Sequence, residues 1–305
     1  MSPSGIHVVL FGPEGRGGFN QSGMEGAERA CAQQTELIVH WCVPGDVVGR
    51  ADFLRAICNG GADLLIAHGG QGDVPVSLIA DAFPQTQFAI TQGNFLAPNV
   101  ACYEVLQEQS AFLAGVLAAS ITSTGVVAHM SGEKVLPGLK GRAAFAAGVR
   151  RHNPSVKVAT LFCGNQHDPD LAYRVVNAQA NAGSDILFAM IDGGREGAIR
   201  ACRERGMLQI GNVMDWTSVE PDVFIASAIA DSGHCIELAV ADFLANRLGV
   251  GSKRTIGLED PRCVRLALSD RVAQAARQSV QRTHNQILAG TLEVSSEYVG
   301  PEMQL

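Results

Sequence analysis

The chain has no two cysteines close enough to share a metal or a redox bridge: its eight, at 31, 42, 58, 102, 163, 202, 235 and 263, lie at least eleven residues apart. That spacing excludes CxxC zinc knuckles and thioredoxin-like pairs. Most sit in apolar segments, so they read as free, buried thiols, suited to a reducing compartment. The eight histidines show no HxH, HxxH or HExxH spacing, and no metal is expected. Basic charge is scarce as well. With 23 Lys and Arg against 30 Asp and Glu, the net charge is −7, and no cationic cluster offers a footprint for nucleic acid. No apolar run reaches the roughly 18 residues that cross a bilayer. The start, Met1-Ser2-Pro3-Ser4-Gly5, lacks a basic n-region, so no export signal is expected as the sequence stands. The first glycine-rich loop, Gly12 to Asn20, has Asn20 where GxGxxG needs its third glycine and has no GK[ST], so no cofactor is expected.

What is present is a 305-residue chain, 47% hydrophobic, long enough for two domains. Apolar strands alternate with helical stretches: 6–11, 36–41, 63–68 and 87–91 as strands, with helices over 22–34, 49–59 and 76–83. Ser22 and Glu25 have the spacing of a capping box that would start the first helix. After Tyr103 the pattern restarts. Strands are expected at 125–130, 156–162, 185–190, 207–211, 223–229 and 263–268, and helices at 110–120, 141–151, 169–182, 197–205, 234–247 and 271–288. Continuous apolar strands joined by helices predict parallel sheets covered on both faces, an α/β doubly wound architecture.

In such sheets ligands sit beyond the carboxyl ends of the strands, and the loops there are rich in glycine, amides and carboxylates. Phe19 offers a face for a planar ring and Asn20 a hydrogen-bonding edge, with Trp216 as a second aromatic wall. Glu14, Gln92, Asn94, Asp192 and Asp215 can meet ring nitrogens, while Lys134 and Arg195, like Lys140 and Arg142, can take a ligand carboxylate. Against these stand simpler roles: a helix staple for Phe19, core for Trp216, helix caps for the aspartates and solvated charge for the cations. His68, Cys163, His167 and Asp168 are the residue types a hydrolase would use.

The segment Gly18-Phe19-Asn20-Gln21-Ser22-Gly23-Met24-Glu25-Gly26 resembles the "SFNQ-x-x-x-EG" signature of the basic membrane protein family, the purine-nucleoside-binding lipoproteins of ABC importers. Phe83 to Ile90, Ala97 to Ala101, Ser110 to Ala119, Ala144 to Val149, Asp168-Pro169 and Ala182 to Phe188 are similar to further motifs of that family. The resemblance implies a type I periplasmic-binding-protein fold: two lobes, 1–104 with 230–258 and 105–229 with 259–305, joined by three hinge crossings, with the ligand between them. The nucleoside-binding set departs here. The family's Phe-Asn-Asp triplet reads Gln166-His167-Asp168, its Gly-Val-Asp-x-Asp-Gln turn reads Gly211-Asn212-Val213-Met214-Asp215-Trp216, and Ala230 stands in place of its lysine.

Three functions follow as expectations. One is an importer's binding protein for a small planar nitrogen heterocycle, purine-like or imidazolone-like, with an ABC permease as partner if exported. The second is a cytosolic hydrolase of an imidazolone, hydantoin or thiohydantoin acting through His68, Cys163, His167 and Asp168. The third is a cytosolic ligand sensor. A homo-oligomer is compatible with all three. Location is cytoplasmic as the sequence stands, and periplasmic or lipid-anchored if a signal peptide has been removed.

Overall fold

The computed structural model describes residues 5–12, 14, 18–32 and 36–304. In chain order its elements are β1 (Ile6–Phe11), α1 (Phe19–Ala32), β2 (Ile38–Cys42), α2 (Val47–Asn59), β3 (Leu64–His68), α3 (Asp73–Ser77), β4 (Gln87–Thr91), β5 (Val100–Val105), α4 (Gln107–Ile121) and β6 (Val126–Ser131). There follow α5 (Leu136–His152), β7 (Lys157–Phe162), α6 (Pro169–Asn181), β8 (Ile186–Met190), α7 (Arg195–Arg205), β9 (Leu208–Val213), β10 (Phe224–Ala230), α8 (His234–Leu244), β11 (Lys253–Ile256), β12 (Val264–Leu268) and α9 (Gln274–Leu288). They fall into two units, Met1–Val105 with Asp231–Ile256, and Leu106–Ala230 with Gly257–Leu305. Among the described residues no helix is long and apolar enough to cross a membrane.

Each unit is built on a six-stranded sheet, ordered β2-β1-β3-β4-β5-β11 in unit 1 and β7-β6-β8-β9-β10-β12 in unit 2. Strands such as Leu64 to His68 are buried throughout, because helices cover both faces. Unit 1 is all parallel. Unit 2 departs from the expected parallel sheet at β12, which runs antiparallel to β10 with Val264 opposite Ala230. The chain leaves unit 2 after β10 and re-enters it at Gly257, and β12 then runs back along β10 from Val264, opposite Ala230, to Leu268, opposite Ala226.

Two strands, β5 and β11, appear where none was expected, and 76–83 is not one helix but the end of α3 followed by a 3₁₀ turn at Ala80–Ala82. The expected end of the first helix, Gln33 and Gln34, lies outside the described residues. Its start is corrected: α1 begins at Phe19, and Ser22 lies within it. The Ser22 hydroxyl does not cap; it donates to Asp231 Oδ1 at 2.8 Å and accepts from the Gly233 N–H at 2.8 Å, tying α1 to the start of α8. Glycine sets the closeness of that seam, since a β-carbon on Gly26 would lie 2.2 Å from the Gly233 carbonyl oxygen. In unit 2, α4 and α5 meet the same way: a β-carbon on Gly115 would lie 2.1 Å from the Phe145 oxygen, and one on Gly148 2.1 Å from the Phe112 oxygen. The family-like motifs around these glycines are helix-packing surfaces.

Candidate functional site: two switch points

Both sheets share the order in which the second strand lies on one side of the first and the third on the other. The chain therefore reverses direction of winding between β1 and β3 in unit 1, and between β6 and β8 in unit 2, the positions at which ligands sit in open α/β sheets.

At the β1/β3 point the Phe19 ring, half-exposed at the first turn of α1, stacks on the buried His68 ring at the end of β3, with centroids 4.2 Å apart and planes 20° apart. The Phe19 carbonyl only accepts, so His68 Nε2 carries the proton it shares at 3.1 Å. Nδ1 then accepts from the Thr91 hydroxyl at 2.9 Å, and that hydroxyl accepts from the Gly69 N–H at 3.0 Å. Both ring nitrogens are used by the protein. Burial pushes the imidazole down to about 4, so it is neutral near pH 7. Glycines make the space: a β-carbon on Gly23 would lie 2.7 Å from His68 Cδ2, and Gly69, at φ +113°, would place one 3.1 Å from the Phe19 ring.

The other residues expected here are engaged with the loops. Asn20 Nδ2 donates to the Phe11 carbonyl at 2.9 Å, closing the loop after β1. Glu14 is exposed in that loop, whose Pro13, Gly15, Arg16 and Gly17 lie outside the described residues. Gln92, left-handed at φ +55°, accepts from the Val105 N–H through Oε1 at 2.7 Å. Asn94 receives Lys253 Nζ at 2.5 Å while its own N–H is held by Asp73 at 2.8 Å.

At the β6/β8 point a glutamine organises three loops. Gln166, after β7, accepts the Asp192 and Gly194 N–H groups on its carbonyl at 3.1 and 2.9 Å and the Glu133 N–H on Oε1 at 3.3 Å. Arg195, buried at the start of α7, donates to the Ile191 carbonyl and, at 2.7 Å, to Asn212 Oδ1, and its guanidinium lies 4.3 Å from the centre of the Trp216 indole. Its Nη1 has no hydrogen-bond partner. Burial lowers this guanidinium to about 10, opposed by Asp192, and burial raises the Asp192 carboxyl, opposed by Arg195 and His167. Trp216 also stacks on Phe224 at 5.7 Å and donates through Nε1 to the Asn212 carbonyl at 3.1 Å.

The remaining residues hold local structure. Asp168 Oδ1 accepts the Asp170 and Leu171 N–H groups at 2.9 Å and caps α6; Asp215 accepts from the Thr217 N–H at 3.0 Å. The Cys163 thiol donates to the Asn165 carbonyl at 3.2 Å and is raised by burial, the opposite of what a nucleophilic thiolate needs. The His167 N–H is held by Asn165 Oδ1 at 2.8 Å. Lys134 pairs with Glu302 at 2.7 Å. Unit 2 thus brings His167, Asp192, Arg195 and Trp216 together, while His68, Phe19 and Asn20 belong to unit 1. Gln166 and Asn212 were not singled out as site residues from the sequence, although they stand in the triplet 166–168 and the turn 211–216 where the family's ligand-binding set falls.

The comparisons extend this picture. The chain is 24% identical over 183 residues to the transcriptional activator protein med of Bacillus subtilis, covering 60% of this chain and 57% of that one. It is 23% identical over 159 residues to a purine-binding protein of Brucella abortus, covering 52% of this chain and 45% of that one, so its matches span about half the length of these two relatives. In fold it is similar to an ABC transporter solute-binding protein of Aeropyrum pernix K1, with a TM-score of 0.83 at 20% identity over 94% of this chain and 92% of that one. The model of the family described as ABC transporter substrate-binding protein PnrA-like matches residues 6–297, nearly the whole of what is described, and the chain belongs to that family.

Proposed function

We propose that this protein binds a small, flat, nitrogen-rich ring as the substrate-binding component of an ABC-type importer. The observation that carries the reading is the Phe19–His68 stack at the β1/β3 point: one aromatic face is backed by a neutral, fully satisfied imidazole, and the other side chain surfaces of Phe19 are half-exposed. A ring stacked there meets an apolar platform whose backbone is tied to His68 through the Phe19 carbonyl and whose inner face packs on that imidazole. Family membership supports a bound substrate, and the purine-binding relative supports a purine-like ring. Three of the four residues considered for hydrolysis, all but His167, are held in other roles. His68 has both nitrogens occupied, Cys163 holds its proton against a carbonyl, and Asp168 caps a helix.

A second reading, a ligand sensor, rests on the likeness to a transcriptional activator and on the burial of six of the eight cysteines. Both readings share the ligand. The test is calorimetry with purine bases, nucleosides, imidazolones and hydantoins, and with sugars of similar size, followed by chromatography of the recovered ligand. Saturable binding of a flat heterocycle recovered unchanged supports the proposal. Binding of sugars alone, or consumption of the heterocycle, overturns it.

A further inference from the structure

After α9 the chain runs from Thr291 to Gln304 with no helix or strand, and Glu293, Glu297 and Glu302 are its only charged side chains. This acidic segment returns to the carboxyl ends of β6 and β7 in unit 2. The Met303 N–H donates to the Thr160 carbonyl at 2.8 Å, on the outermost strand of the sheet. The Tyr298 ring centre lies 4.4 Å from the Arg142 guanidinium carbon, and the Phe162 ring centre lies 4.8 Å from it. Glu302 bonds Lys134 at 2.7 Å through one carboxylate oxygen and Arg142 through the other. Those two cations hold the Glu302 carboxyl below its ordinary value through hydrogen bonds.

Arg142 makes this arrangement more than a surface ion pair. Its side chain is 9% exposed, it sits among aromatic rings, and its buried Nε has no hydrogen-bond partner. A buried guanidinium needs an anion, and its fork suits two oxygens of one group. A single Glu302 oxygen on Nη1 leaves that capacity unused.

We infer that Lys134 and Arg142 form an oxyanion site at the carboxyl ends of β6 and β7, and that Glu302 fills it as a tethered stand-in which an external phosphate or carboxylate displaces, releasing the strap 297–304. The inference concerns unit 2 alone and does not depend on which ring binds in unit 1. Hydrogen–deuterium exchange of the Met303 amide reads strap release directly, with inorganic phosphate, succinate and chloride compared at one ionic strength. Phosphate or succinate is expected to speed that exchange about tenfold, chloride to leave it unchanged, and Glu302→Gln to show the fast exchange without any added anion. The relative strength of phosphate and succinate tells a phosphate-bearing from a carboxylate-bearing ligand. Equal effects of all three salts, or none, overturn the inference. Should Glu302→Gln fail to fold, Lys134→Ala, an exposed change, decides: the phosphate needed for half-maximal exchange should rise about threefold or more, since one charge-assisted contact is lost. An unchanged requirement overturns the inference.

Discussion

The two switch points share a topology and differ in chemistry. At β1/β3 the groups that matter are neutral: an aromatic ring, an imidazole held uncharged, a threonine hydroxyl and backbone amides. At β6/β8 a buried guanidinium is set among carbonyls, an indole face and a carboxylate that burial pushes toward protonation. The winding of the sheet decides where loops part, and it does so identically in both units. What the opening can hold is decided by a few side chains: a neutral platform favours a flat, weakly charged ring, whereas the charged one favours groups that share or accept protons. The two ends should therefore fail under different insults.

The largest effect is expected at the charged end. Arg195→Ala orphans the Ile191 carbonyl and the Asn212 Oδ1 that the buried guanidinium holds and uncovers the Trp216 face, at a cost of about 1–3 kcal/mol for each acceptor left unsatisfied. Urea denaturation should show that loss, with Arg195→Met recovering part of it. The neutral end should fail in acid. The unfolded chain takes up a proton on His68 near 6.5 and the native one only near 4, so stability is full above 6.5 and falls as pH drops from 6.5 to 4. At 1.36 kcal/mol per pH unit the fall is about 3 kcal/mol. His129, buried in unit 2 and lowered to about 3 by burial and then by Arg142, adds a decline of its own that starts at 6.5 and continues down to about pH 3. Comparing denaturation at pH 7 and pH 4.5 for the wild type and His68→Gln should show a smaller acid loss in the variant; equal losses would remove His68 from the account.

Sequence reading recovered most of this fold because buried parallel strands are written locally, as apolar runs between glycine-rich loops. It missed β5 and β11 for physical reasons. In β11 the run Lys253-Arg254-Thr255-Ile256 is half charged, which suits an outer strand with one unpaired edge but hides it from a search for apolar runs. In β5 the polar pair Tyr103-Glu104 follows a Pro98-Asn99 turn signal. The loops that carry the candidate sites were legible as well, since glycine and amides collect after strands. Which group each side chain holds was not. Ser22 had the local spacing of a cap, yet its partner Asp231 lies 209 residues away, and Lys134 meets Glu302 across 168. Such pairings depend on the whole topology and leave no trace at either end.

A smaller effect tests the neutral platform itself. Phe19→Ala should lower affinity for a flat heterocycle by about 1–3 kcal/mol, the worth of a ring stacked on an aromatic side chain. Phe19→Leu, which keeps apolar bulk without a ring, should recover only part of it. Calorimetry with one purine base is sufficient. An affinity indifferent to both changes would move the ligand away from the β1/β3 point.

The smallest effect separates shaping of the loop from reading of the ligand. Asn20 Nδ2 is spent on the Phe11 carbonyl, which leaves Oδ1 as the group able to accept a ring N–H. Asn20→Ala removes both and should cost about 1 kcal/mol of stability through the orphaned carbonyl. Asn20→Asp keeps an acceptor where Oδ1 stood and loses the donor, so its stability should fall like that of the alanine variant while more of the binding survives. If the two variants bind equally weakly, Asn20 acts only by closing the loop after β1, and the stacking surface alone distinguishes the neutral end from the charged one.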